Sequence, residues 1–155
     1  MSVRSRQSPE GGWVLFSILF LNFLFFPGIG EVLAQPVAQI KMEGIDFRVR
    51  DIESSVKLLE IQVRIVNASK GLTAPSDSIR LVVAAKEVRF LNPTAQHQGN
   101  LPLETMTLNV PLPPGATRVM VIALSLPEER IESITFEVQI NPPEGEKRMV
   151  TWAGS

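Results

Sequence analysis

From Leu59 to Ile65 the chain alternates strictly, with Leu59, Ile61, Val63 and Ile65 apolar and Glu60, Gln62 and Arg64 polar between them. A period of two sends alternate side chains to opposite sides of an extended backbone. The segment therefore predicts a strand with one face in a core and the other in water. ITFEVQI repeats the pattern, with Ile134, Phe136, Val138 and Ile140 inward against Thr135, Glu137 and Gln139. MTLNV does so more briefly through Met106, Leu108 and Val110. TRVMVIALSL is apolar at both parities, which predicts a strand in the middle of a sheet covered on both sides. With IKMEGIDFRVR opening the series and KRMVTWA closing it, the predicted strands lie near 40–50, 56–67, 79–91, 103–110, 117–126, 132–140 and 147–153.

One segment is ambiguous. In IRLVVAAKEVRFL, Ile79, Leu81, Val83 and Ala85 alternate, but Val88 and Phe90 fall on the opposite parity. A bulge near Lys86 and Glu87 restores the facing. Alternatively, Leu81, Ala84, Ala85 and Val88 line one face of a short helix; Val, Ile and Phe dominate, so the strand is preferred.

Pro75, Pro93, Pro102, Pro111, Pro113, Pro114, Pro127, Pro142 and Pro143 all fall between the apolar runs or at their ends, where a missing N–H costs no ladder bond. NPPEGEK reads as a turn, and LPEERIES as a link able to form one helical turn with Glu128 and Glu129 at its N-terminal dipole. The sum is an all-β, antiparallel two-sheet sandwich of immunoglobulin type with about seven strands. Its usual cysteines and central tryptophan are missing, and Trp152 is expected against a sheet end.

Ahead of the strands, Trp13 to Phe26 is apolar with only Ser17 and Asn22 as polar breaks. As a helix it spans about 21 Å, short of the roughly 30 Å hydrocarbon slab. Arg4 and Arg6 precede it, Pro27, Gly28 and Gly30 break it, and Val32-Leu33-Ala34 supplies small residues before a cleavage point. The expectation is a signal peptide over 1–34, cut after Ala34, and a single domain over 35–155. The alternative is an uncleaved anchor, which gives the domain its one attachment to a membrane. A lipoprotein is excluded because the chain has no cysteine.

The IVNAS strand ending (Ile65 to Ser69), a loop, and the turn LPPGAT feeding VMVIAL together resemble small exported bacterial domains of immunoglobulin-like fold, of the FxLYD and late-embryogenesis-abundant-like types. The similarity runs from Leu59 to Ile140 and lies in the rhythm of strands and turns; the FxLYD signature itself is absent. It implies an accessory or binding module of the cell envelope and brings no catalytic residues.

Charge narrows the partners. Lys and Arg total 15 against 16 Asp and Glu. The leader removes Arg4 and Arg6 with Glu10 and Glu31, so the domain stays near neutral. With no basic run, nucleic acid is not an expected partner. The lone His97 sits in NPTAQHQGN without a nucleophile elbow; Ser76, Asp77 and Ser78 are the nearest candidates for a triad. No residues stand at metal-ligand spacing, and the scattered Met42, Met106, Met120 and Met149 read as core. No cofactor is expected.

Glu128, Glu129 and Glu132 beside Arg130, and Asp46, Asp51 and Glu53 beside Arg48 and Arg50, read as surface mixtures. Asn67-Ala68-Ser69 matches the glycosylation sequon. The expectation is a non-enzymatic periplasmic or extracellular module that binds an envelope or extracellular protein through a sheet edge or loops. A small hydrolase or carbohydrate-binding domain using loop carboxylates is the alternative. The candidate binding loop carries Gln96, His97, Gln98 and Asn100, whose polar groups stand between prolines that limit the entropy lost on binding.

Overall fold

Alternating β-branched and apolar residues build seven strands: β1 (Ile40–Glu53), β2 (Val56–Asn67), β3 (Ile79–Phe90), β4 (Leu103–Leu108), β5 (Thr117–Ser125), β6 (Ile131–Ile140) and β7 (Lys147–Ala153). The computed structural model describes residues 36–53 and 55–154, where no helix occurs. The expected leader and its cleavage point after Ala34 lie outside the described residues. All pairings are antiparallel, in a three-stranded sheet ordered β1-β2-β5 and a four-stranded sheet ordered β4-β3-β6-β7. The fold is the expected immunoglobulin-like sandwich. In the constant-type arrangement the fourth strand joins the sheet of the first; here β4 pairs with β3.

The core forms where the inward parities of the two sheets meet. Leu59, Ile61, Val63 and Ile65 of β2 face Phe136, Val138 and Ile140 of β6, all almost fully buried. Each such side chain contributes about 1.5–3 kcal/mol by leaving water. Phe47 of β1 stacks obliquely on Phe136, with ring centroids 5.9 Å apart. Among the described residues the core lies within the compact unit that begins at Val37.

The β3 ambiguity resolves as a strand. Its register slips between Ala85 and Glu87, leaving Lys86 exposed and turning Val88 and Phe90 back onto the core. All nine prolines named above lie outside the strands.

Three expectations are corrected. β4 stops at Leu108, leaving Val110 exposed, because the Asp77 N–H takes the Leu108 carbonyl and the chain turns to bridge Leu112 with Ala74. Residues 126–130 form bends and no helical turn; this short link must cross between the sheets, and the Arg130 carbonyl accepts the Leu91 N–H. The largest correction concerns β5. Among the described residues it is an edge strand, paired with β2 alone, and only its Met120, Ile122 and Leu124 point into the core.

Candidate functional site

The bare edge of β5 follows from its register. Asn67 N–H donates to the Ala116 carbonyl at 3.1 Å and Leu126 N–H to the Lys57 carbonyl at 2.9 Å, bracketing the β2–β5 ladder. Antiparallel bonding alternates between these ends. The even-numbered residues of β5 therefore bond β2, and Thr117, Val119, Val121, Ala123 and Ser125 turn their N–H and C=O groups outward. Among the described residues only the Thr117 carbonyl finds a partner, Arg118 Nη1 at 2.9 Å. The same odd parity points its side chains to the outer face, where Val119 is 49% and Val121 40% exposed. Between Val119 and Ser125 there is no charge, no proline and no register slip. Those are the devices that ordinarily stop an edge from pairing.

The other edges differ from it. β4 has six residues. β7 has seven and opens its outward parity with Lys147, followed by uncharged Met149, Thr151 and Ala153. At the β1 edge, Met42 N–H donates to Glu146 Oε2 at 2.8 Å, and Arg148 Nη2 donates to the Met42 carbonyl at 2.6 Å. Arg148 Nε also donates to Glu146 Oε1 at 2.9 Å, locking the two side chains together. This clip occupies both backbone groups of Met42, and a register slip between Met42 and Gly44 bends the edge beside it. Burial pushes the Glu146 carboxyl up. The Met42 N–H, Arg148 and Lys41 outweigh that and hold it below the usual carboxylate range. A Cβ at Gly145, just before the clip, would run into the Ile140 carbonyl, so the turn into β7 requires glycine there.

The predicted loop is only partly a surface. Gln96, Gln98 and Asn100 are exposed, whereas His97 is half-buried, with Nε2 3.1 Å from the Asn100 carbonyl that accepts its N–H. Its ring covers a cavity of about 30 Å³ floored by Leu59, Leu124, Ile134 and Phe136. The loop thus caps one end of the core. Ser76, Asp77 and Ser78 precede β3 and His97 follows it, which separates them by a strand roughly 36 Å long. No triad assembles.

The carboxylates lie apart as well. Glu128 and Glu129 line an open depression of about 540 Å³ with Lys57, Arg130, Ile131 and Trp152; the indole packs at this end of the sandwich, 8% exposed. Asp46 is on the outer face of β1. On the same sheet Glu60 accepts from Arg50 at 2.8 Å. That hydrogen bond, against some burial and with help from Arg48 and Gln62, holds Glu60 below its usual range. Glu60 is thus locked in an ion pair with Arg50.

Asn67 of the sequon is fully buried. Its Nδ2 donates to the carbonyls of Leu72 at 2.7 Å and Leu112 at 2.9 Å, and its Oδ1 accepts from Ser69 N–H at 3.0 Å. The nitrogen that would carry a glycan is in use inside the fold.

Sequence reasoning did not single out Val119, Val121 and Ala123 as an exposed edge. Their signal was present in the uncharged, doubly apolar run, but that run has the same pattern as a covered central strand.

No protein-family profile and no curated protein matches the chain. Among solved structures it is similar to a beta-glucosidase from Kluyveromyces marxianus in complex with glucose, at 16% identity and a TM-score of 0.42, over 76% of this chain and 14% of that one. The Se-Met labelled form of that enzyme aligns at 16% identity and a TM-score of 0.34, over 79% of this chain and 16% of that one. The chain thus spans a small fraction of the enzyme it aligns with.

Proposed function

We propose that residues 35–155 are a non-enzymatic, exported module that binds a polypeptide by adding an extended segment of it to the β5 edge. The observation carrying this reading is the uncharged outward parity Val119-Val121-Ala123 with unpartnered backbone groups. Strand addition uses such groups directly: backbone hydrogen bonds give affinity and the alternate side chains give selectivity. Each new bond contributes about 0.5–1.5 kcal/mol net, and covering the exposed valines adds to it. Export rests on the short apolar core before Pro27 and the Val32-Leu33-Ala34 ending. It puts the module where envelope and extracellular proteins are its partners.

A photoreactive benzophenone side chain placed at position 121 or 98 of the full chain, irradiated in cells, tests the reading. A protein adduct is expected from position 121 and none from 98. Adducts from 98 alone would move the site to the loop, and none from either would remove the protein-binding reading. The mass of the recovered chain tests export: it should begin at Gln35, and an N-terminus still carrying Trp13 contradicts cleavage.

A further inference from the structure

We propose that the segment received by the β5 edge is β5 of a second copy of this chain, antiparallel to the first and centred on Val121. The inference rests on the strand-addition reading and names its partner.

The outward residues read Thr117, Val119, Val121, Ala123, Ser125: hydroxyl, apolar, apolar, apolar, hydroxyl. The order is the same in kind from either end. A two-fold interface demands this, since whatever contact one copy makes its partner must make in return. Centring the pair on Val121 sets Val121 against itself, Val119 against Ala123 of the second copy, and Thr117 against its Ser125. Every outer-face contact is then between side chains of one kind and similar size.

The neighbouring strands agree in charge. Arg64 shares a rung with Val119 and Glu60 shares one with Ala123. Across the joined sheet the rung of Arg64 therefore ends at Glu60 of the second copy, about 14 Å away over three strand spacings. The reciprocal rung ends in the opposite order, and the central rung places Gln62 at both ends. No like charges oppose each other. The two Arg118 side chains stand near opposite ends of the ladder.

The product is a continuous six-stranded sheet, β1-β2-β5 joined to its copy, whose two remaining edges are the β1 edges clipped at Met42 by Glu146 and Arg148. The two-fold pairing uses the one β5 edge of each copy, so assembly through it closes at two. One strand edge buries an area at the low end for specific interfaces, so the pairing is weak and reversible, with a Kd of about micromolar.

The chain contains no cysteine, so single introduced cysteines report the register directly. Opposed residues of a hydrogen-bonded rung have Cα atoms about 5.5 Å apart, inside the roughly 4.4–6.8 Å that a disulfide spans. In the full chain, oxidised with diamide at micromolar concentration, Val121→Cys should give a disulfide dimer. Val119→Cys and Ala123→Cys should each stay monomeric, because four residues of offset hold identical positions about 14 Å apart. Mixed together, those two variants should cross-link. All three positions are exposed, and circular dichroism of each variant should match that of the parent.

A folded Val121→Cys chain that stays monomeric, or equal cross-linking of all three single variants, overturns the self-pairing. If the benzophenone adduct at 121 then persists with the mass of a different protein, strand addition stands and only the second copy is lost. If the adduct is also missing, both readings fall.

Discussion

At Met42 the edge of the three-stranded sheet is closed by a carboxylate and a guanidinium; at Val121, on the opposite edge, the same kind of backbone group has no partner among the described residues. Both belong to strands whose inner parity packs on one core. The difference lies in what stands beside them. At Met42, Glu146 just before β7 and Arg148 within it supply a carboxylate that accepts the N–H and a guanidinium that donates to the C=O, as a neighbouring strand would. At Val121 no such side chain of the described residues reaches the edge, where β5 contributes Val119, Val121 and Ala123. A sheet edge is thus not intrinsically sticky or inert: the residues around it decide whether it is finished within the chain or left for another.

The comparison breaks most severely with proline. Ile122 is buried and its N–H faces β2, so Ile122→Pro removes a ladder bond and a core side chain and should cost about 3 kcal/mol or more. One residue away, the Val121 N–H faces outward. Val121→Pro should stay within about 1 kcal/mol of the parent yet abolish the mixed disulfide between Val119→Cys and Ala123→Cys chains that also carry it. Equal loss of stability in urea for the two variants would refute the assigned parity.

Next in size is the residue that sets where β5 begins. Asn67 holds the carbonyls of Leu72 and Leu112, and its own carbonyl accepts from Gly115 N–H, whose φ of 79° starts the turn into β5. Asn67→Ala removes the donor to the Leu72 carbonyl, one of two donors to the buried Leu112 carbonyl, which keeps the Ala74 N–H, and the acceptor of Ser69 N–H, and should cost about 2 kcal/mol in denaturant unfolding.

The clip comes third. Its side chains are about a third exposed, which screens them, so Arg148→Ala should cost about 1 kcal/mol. Glu146 is held below the ordinary glutamate value near 4.3. Its contribution is therefore complete above that value and is lost as the pH falls through the lower folded one. Glu146→Gln should flatten this acid limb of the stability curve, and an unchanged limb would contradict the clip. Smallest of all, Gln96→Ala with Gln98→Ala should change stability by less than about 0.5 kcal/mol, whereas adding His97→Ala should lower it further by uncapping the cavity.

Much of the fold is legible in the sequence because its causes are local. Alternation from Leu59 to Ile65 and from Ile134 to Ile140 sets the inward faces, prolines mark the connections, and the parity break at Val88 announces the bulge after Ala85. The site was not legible, because its causes are distant in sequence. The bonds from Glu146 and Arg148 to Met42 join residues 104 and 106 positions apart. Strand order, which makes β5 an edge, leaves no trace in the strand's own periodicity. A run apolar on both faces says that something covers it, and not whether the cover is the same chain or another. The loop around His97 misled for the converse reason: polar residues between prolines look available for binding, but the ring is spent on capping the core.

Residue-resolved amide hydrogen exchange of the folded domain, followed over a range of protein concentrations, compares the two edges directly. The account predicts that the Met42 amide is protected at every concentration, because its partner is in its own chain. The amides of Val119, Val121 and Ala123 should exchange quickly in dilute solution and become protected together as concentration rises through the micromolar range. Protection of those three amides independent of concentration, or rapid exchange at Met42, would contradict it.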